Sequence, residues 1–223
     1  MNLNHPTTAR VAISGIEINK VLRNTYALLS MTLLFSALTA GLSMAFSWPH
    51  PGMVLTLVGY FGLLMLTTKF RNSSLGILFV FALTGFMGLT LGPIISLYVT
   101  AFPNGNQLVM TALGGTGLIF LGLSSYVLTT KKDFTFIGGM LFAGILIAFL
   151  AGIGAAIFSI PSLSLAVSAM FVLLMSGLIL FQTSQLVNGG ETNYIMATVT
   201  LYISIYNLFL SLLHLLGIFG GDD

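Results

Sequence analysis

The sequence predicts an all-α, polytopic membrane protein: a bundle of seven transmembrane helices. Three observations carry this expectation. Only 5% of the 223 residues are charged and 57% are hydrophobic, with a mean hydropathy of +1.05. A soluble domain charges about a quarter of its residues, so this chain cannot cover a surface facing water. The few charges leave four uncharged stretches, 24–68, 72–130, 134–190 and 192–221. The first three each exceed twice the roughly 20 apolar residues that one bilayer crossing needs. Proline and glycine clusters then split those three near their middles: Trp48-Pro49-His50-Pro51-Gly52, Phe102-Pro103-Asn104-Gly105-Asn106 and Ser159-Ile160-Pro161-Ser162. Such clusters break helices.

The helices follow in order. Helix 1 is expected at about 25–48, from the charge at Arg23 to the first cluster. Helix 2, about 53–68, fits between Gly52 and Lys69 and is the shortest. Helix 3 takes about 74–101, from Arg71 to the second cluster, and helix 4 about 107–130, as far as Lys131-Lys132. Helix 5 spans about 134–159, helix 6 about 162–187 and helix 7 about 192–219, beyond Glu191. Transmembrane strands would alternate over about ten residues; these runs are longer and apolar on all faces.

Composition excludes other classes. Disorder needs low hydrophobicity and high charge. The net charge of +2 is no basic patch for nucleic acid. Without cysteine there are no disulfides, thiolate metal sites or cysteine nucleophiles.

All seven Lys and Arg residues fall on one side of the predicted helices. Arg10, Lys20 and Arg23 precede helix 1, Lys69 and Arg71 separate helices 2 and 3, and Lys131 and Lys132 separate helices 4 and 5. The positive-inside rule makes that side cytoplasmic. Residues 1–23 are then a cytosolic tail, 24–223 the seven-helix transmembrane domain, and Asp222-Asp223 end outside. Trp48 sits where an interfacial aromatic belongs. No cleaved signal peptide is apparent; helix 1 reads as an uncleaved anchor. In the tail, Ile13, Ile16 and Lys20 have the spacing of a short interfacial helix, with a disordered tail as the alternative. The loops are short, which leaves the bundle, the loops and the tail to carry any activity.

Polar residues gather in two places. On helix 7, Thr200, Ser204, Asn207, Ser211 and His214 recur at steps of four, three, four and three, and Asn193 continues the row. That row is one helix face. Polar groups in lipid are costly unless they face protein or water, so the stripe is expected to point into the bundle, with helix 7 central. It serves either inter-helix hydrogen bonding or a functional site. Helix 6 ends in Gln182, Thr183, Gln185 and Asn188, at the cytoplasmic end, with Glu191 beyond. Glu191 either complements the N-terminal dipole of helix 7 or acts as a proton- or ion-responsive carboxylate. Helix 3 holds Gly85, Gly88, Gly92 and Pro93. Gly88 and Gly92 form a small-xxx-small pair for close packing; a hinge at Gly92-Pro93 is the other reading.

Enzyme signatures are missing. There is no HExxH motif, and His5, His50 and His214 are scattered over tail, outer loop and helix, so no metal or other cofactor is expected. No aspartate pair lies inside the membrane. A Ser–His dyad using His214 lacks a Gly-x-Ser-x-Gly elbow, and no phosphate-binding loop is present.

The string Gly85-Phe86-Met87-Gly88-Leu89-Thr90-Leu91-Gly92-Pro93 resembles the hallmark of the Bax inhibitor motif family. Ala112-Leu113-Gly114-Gly115-Thr116, Phe136-Ile137-Gly138-Gly139 and Leu201-Tyr202-Ile203-Ser204-Ile205-Tyr206-Asn207-Leu208-Phe209 resemble its companion strings. Lys20-Val21-Leu22-Arg23-Asn24-Thr25-Tyr26, Tyr126-Val127-Leu128-Thr129-Thr130 and Gly189-Gly190-Glu191-Thr192-Asn193-Tyr194 resemble the bacterial YccA-like branch. The resemblance implies a seven-helix bundle around helix 7, in a bacterial inner membrane, associating with the membrane AAA protease FtsH as its non-enzymatic modulator. Such a protease pulls on a flexible, accessible end, so the polar tail, roughly residues 1–19 with Pro6, Thr7 and Thr8, is expected to serve as its handle. It also brings the family's second activity, a pH-sensitive calcium leak that needs two facing aspartates. The matching positions here are Gln182 and Ser204, which cannot ionise or offer calcium a charged ligand. An ion leak or transporter is therefore the alternative function, and an intramembrane hydrolase using His214 a third.

Overall fold

The structure, a computed structural model, describes residues 15–220. Residues 1–14 of the expected tail, with His5, Pro6, Thr7, Thr8, Arg10 and Ile13, lie outside the described residues, as do Asp222 and Asp223. Seven α-helices follow one another, and no strand occurs among the described residues: α1 (Gly15–Ala45), α2 (Met53–Lys69), α3 (Ser74–Ala101), α4 (Gly105–Thr130), α5 (Gly138–Ile157), α6 (Pro161–Val187) and α7 (Tyr194–Phe219). A 3-10 turn, Thr135–Ile137, leads into α5. Six of the helices are long and apolar enough to cross a membrane. α2, with 17 residues, is about 26 Å long and is the shorter apolar helix.

The largest departure from the sequence reading is at α1. It starts at Gly15 rather than near 25, because Glu17, Lys20 and Arg23 interrupt hydropathy without interrupting a helix. Glu, Lys, Arg and Leu are good helix formers. α1 also stops at Ala45, ahead of 48. Pro49 disfavours helical backbone at the residue before it, and Ser47 already takes a left-handed φ of 51°.

Small residues set the packing. α1 lies along α3, and α7 packs against α1, α3, α4 and α6. α2 packs on α3, and α5 on α6. The main core cluster joins Leu29, Leu83, Leu186, Val199, Leu201 and Tyr202 from α1, α3, α6 and α7. Large apolar side chains remain on the outside: Phe142 is 73% exposed and Leu173 74%. Water would penalise that surface at roughly 25 cal/mol per Å²; hydrocarbon does not.

Two loops are tied to the α6–α7 junction. The Asn193 amide donates to the Arg71 carbonyl (3.0 Å) and to Asn72 Oδ1 (2.8 Å), while its own oxygen caps α7 by accepting the Met196 N–H (3.0 Å). On the other flank the Ser184 hydroxyl accepts the Phe134 N–H (2.9 Å) and donates to the Lys132 carbonyl (3.2 Å). Thr198 of α7 donates to the Thr25 carbonyl of α1 (3.2 Å). These bonds gather the start of α1 and the α2–α3, α4–α5 and α6–α7 loops at one end of the bundle. Lys20, Arg23, Lys69, Arg71, Lys131 and Lys132 all belong to that end.

Candidate functional site

At that end the polar cluster of α6 is well buried. Gln182 is 5% exposed and Thr183 and Ser184 are fully buried. The Gln182 Nε2 finds no hydrogen-bond partner among the described residues. Thr183 lies 3.4 Å from the Ser124 hydroxyl of α4. Gln185 closes the helix: its carbonyl accepts the N–H groups of Gly190 (2.8 Å) and Glu191 (3.1 Å), and Gly189 supplies the positive φ of 74° that this return requires. The Gln185 amide fills the space a Cβ on Gly190 would take. Glu191 Oε1 accepts the N–H of Asn193 (2.7 Å), at the positive end of α7. In the neighbouring loop Asp133 accepts the Thr135 N–H (2.8 Å), and that bond holds its carboxyl below the usual carboxylate range. A hydrogen bond with Tyr126 raises the Lys132 ammonium above its ordinary value.

The α7 stripe divides by hydrogen bonding. Thr200, Ser204 and Asn207 bond back to their own helix, to the carbonyls of Met196 (3.0 Å), Thr200 (2.8 Å) and Ile203 (2.9 Å). The fully buried Ser204 thus spends its proton within α7, and no hydrogen bond joins it to Gln182. His214 bonds across to α6: its Nδ1 lies 2.7 Å from the Ser168 hydroxyl. Ser211, 7% exposed, lines with His214, Ser168 and Tyr98 a cavity of about 230 Å³ at the end of the bundle opposite the basic residues. Nothing in the described structure orients His214 from its other nitrogen. A nucleophile–base pair is ordinarily completed by such a third group.

The glycines of α3 sit against α1. A Cβ on Gly88 would collide with Thr39 Oγ1 and the Ser36 carbonyl, and one on Gly92 would come within 2.6 Å of Ser43 Cβ and 2.7 Å of the Ala40 carbonyl. α3 continues through Pro93 to Ala101.

A second, larger cavity of about 430 Å³ lies between α2, α3, α5, α6 and α7, and Asn207 is on its wall. Asn207 and His214 therefore face different cavities, and Gln182, Gln185 and Glu191 line neither. Among the described residues no three of His, Asp or Glu come together as metal ligands.

Several residues that join the helices carried no sequence signal. Ser36 of α1 lies 2.6 Å from the Tyr202 hydroxyl, which donates to the Thr84 carbonyl of α3 (3.3 Å). Ser184 and Ser168 look in sequence like any serine in an apolar helix. Only the identity of the neighbouring helix distinguishes them.

Residues 18–221 match the family described as "Inhibitor of apoptosis-promoting Bax1". The chain is 51% identical over 209 residues to "Modulator of FtsH protease YccA" of Escherichia coli K12, covering 94% of each chain. It has the same identity and coverage with "Inner membrane protein YccA" of an Escherichia coli O6:H1 strain. With "Protein lifeguard 4" of Mus musculus the identity is 32% over 216 residues, 92% of this chain and 88% of the mouse protein.

Proposed function

The chain belongs to the Bax inhibitor family, and from that premise we propose that it is a seven-span inner-membrane protein that associates with the protease FtsH and modulates it. The observation that carries this reading is the likeness to the Escherichia coli FtsH modulator along almost the whole of both chains.

In this reading α2 is a full crossing, α7 is the central helix, and the end bearing the basic residues faces the cytoplasm. The contacts of α7 with four other helices and the six described basic residues at one end support it. The N-terminal tail, roughly residues 1–19 and running into the start of α1 at Gly15, is the handle an AAA protease can grip from its own side, and the α1–α3 seam of small residues resists extraction. The protein would then occupy the protease and slow its action on other membrane substrates. It acts as a partner and catalyses nothing.

The calcium leak ranks below this. Its aspartate positions hold Gln182 and Ser204, both buried and both without charge, so no shared proton is available to gate an ion path.

Crosslinking in native membranes followed by pull-down and identification of partners tests the proposal. FtsH is expected among the captured proteins, and deletion of residues 2–15 is expected to lengthen the protein's lifetime without impairing insertion. Capture without FtsH, in cells where FtsH is active, overturns it.

A further inference from the structure

We propose that the cavity between α2, α3, α5, α6 and α7 binds an uncharged, planar, carbonyl-bearing lipid of the isoprenoid quinone class, which enters sideways from the bilayer. Depth gives the first argument. The lining residues Tyr60, Thr90, Phe149, Met175 and Tyr206 lie in the middle parts of their helices. The cavity is therefore centred at mid-depth, although Thr56 and Phe142 carry its lining to near the first turns of α2 and α5. Its mouth is on the lipid side, where Phe61 is 46%, Phe142 73% and Leu146 48% exposed. A phospholipid headgroup drawn to that depth would lose its hydration, at a cost of several kcal/mol for a charge. The occupant is therefore uncharged.

Size gives the second. About 430 Å³ falls within the roughly 300–1,000 Å³ of small-ligand sites. Two turns of a helix about 10–12 Å across would need on the order of 1,000 Å³, so a partner's transmembrane segment does not fit. Phe61 and Phe149 already meet edge to face across the gap between α2 and α5, with centroids 5.9 Å apart.

Chemistry selects among small apolar molecules. Aromatic rings supply much of the wall, Tyr60, Phe86, Phe171 and Tyr206 among them, and such rings favour a flat π-system at stacking distance. The polar groups are of two kinds. Thr90 is spent: its hydroxyl donates to the Met87 carbonyl (2.8 Å) and lies 3.3 Å from the Tyr206 hydroxyl. Tyr60 makes no hydrogen bond to any described residue, and Asn207 uses one amide proton, on Ile203. Both line the cavity. A saturated acyl chain would leave a phenol and an amide unpaired in hydrocarbon, which costs several kcal/mol per group. A quinone carbonyl accepts from either donor while its isoprenoid tail stays among the lipids. This site is independent of the protease reading.

The test uses the full-length protein in nanodiscs of palmitoyl-oleoyl phosphatidylglycerol and a diazirine-bearing ubiquinone analogue, with labelled peptides mapped by mass spectrometry. Labelling is expected within 56–61 and 142–149 and is expected to be displaced by decylubiquinone but not by equal hexadecane. Tyr60→Phe and Asn207→Leu are each expected to raise the decylubiquinone needed by about 3- to 10-fold, as for the loss of one hydrogen bond. Leu146→Trp, a change at the lipid-facing mouth that touches neither donor, is expected to abolish labelling while the melting temperature holds. No labelling above empty nanodiscs, displacement by hexadecane as effective as by decylubiquinone, or labelling indifferent to all three substitutions overturns the proposal.

Discussion

The Ser43 hydroxyl of α1 donates a 2.9 Å hydrogen bond to the Leu89 carbonyl of α3. Leu89 is the acceptor that Pro93, four residues on, leaves without a helical N–H. Ser43 is 1% exposed, so the bond is made where no water could replace it. One helix thus repairs the backbone of the other at the place where the glycines bring them closest.

Ser43→Ala is expected to cost about 1 kcal/mol, in the range of measured inter-helix bonds. In a Pro93→Ala background residue 93 supplies its own N–H to Leu89, and Ser43→Ala is expected to cost little. Unfolding in mixed micelles, run as a double-mutant cycle, checks this. Equal costs in both backgrounds would mean that Ser43 contributes only by packing.

Gly88→Ala is expected to lower the melting temperature. The added Cβ meets the Ser36 carbonyl, a backbone atom that cannot rotate away, so α1 and α3 must part, at about 1–3 kcal/mol. At Gly114 nothing lies within 4 Å of such a Cβ, and Gly114→Ala is expected to be neutral or to gain up to about 1 kcal/mol from helix propensity. Thermal denaturation of the two variants side by side separates a contact glycine from an open one.

Reporter fusions after Asp223 are expected to read as extracytoplasmic and fusions at Lys131 as cytoplasmic, from the seven basic residues on one side. A cytoplasmic C-terminus would identify α2, the shortest helix, as a segment that does not cross.

Calcium flux in liposomes is expected to be weak and to change little between about pH 6 and 8, because neither Gln182 nor Ser204 titrates. Gln182→Asp with Ser204→Asp is expected to introduce pH dependence by placing two carboxyl groups in the buried cluster. Strong, pH-gated flux from the unaltered protein would contradict the argument and direct attention to Glu191 and His214.

Asp133 offers a pH test outside the membrane. The Thr135 N–H lowers its folded pKa, so its contribution to stability is present above the unfolded value of about 3.9 and is lost as pH falls through the depressed folded value. Asp133→Ala is expected to melt earlier than the parent at pH 6, with the difference closing below about pH 4. A difference that persists in acid would assign the effect to packing.

Helix placement was legible in the sequence because its signals are local. Hydropathy, Pro49, Pro103 and Pro161 act on the residues beside them, and six of the seven helices end within a few residues of where those signals put them. The exception, the start of α1, shows the limit of charge as punctuation: Lys20 and Arg23 leave the apolar run but not the helix. The gathering of basic residues at one end was legible for the same reason, since strict alternation of crossings carries a loop's side from one helix to the next.

The pairing of polar groups was decided only by the tertiary structure. Helical periodicity assigns Thr200, Ser204, Asn207 and His214 to one face of α7 but does not say which helix lies against each. Thr200, Ser204 and Asn207 bond along α7 itself, while His214 reaches Ser168. Ser43, Ser168 and Ser184 are unremarkable letters until a neighbouring helix presents Leu89, His214 or the Lys132–Phe134 loop to them. Sequence determines where a helix forms and which face is polar, because those depend on residues within a few turns. The partner of each polar group depends on how helices distant in sequence rotate and approach, and here that approach is set by glycines such as Gly88 and Gly92, where the absence of a side chain lets α1 and α3 come within hydrogen-bonding reach.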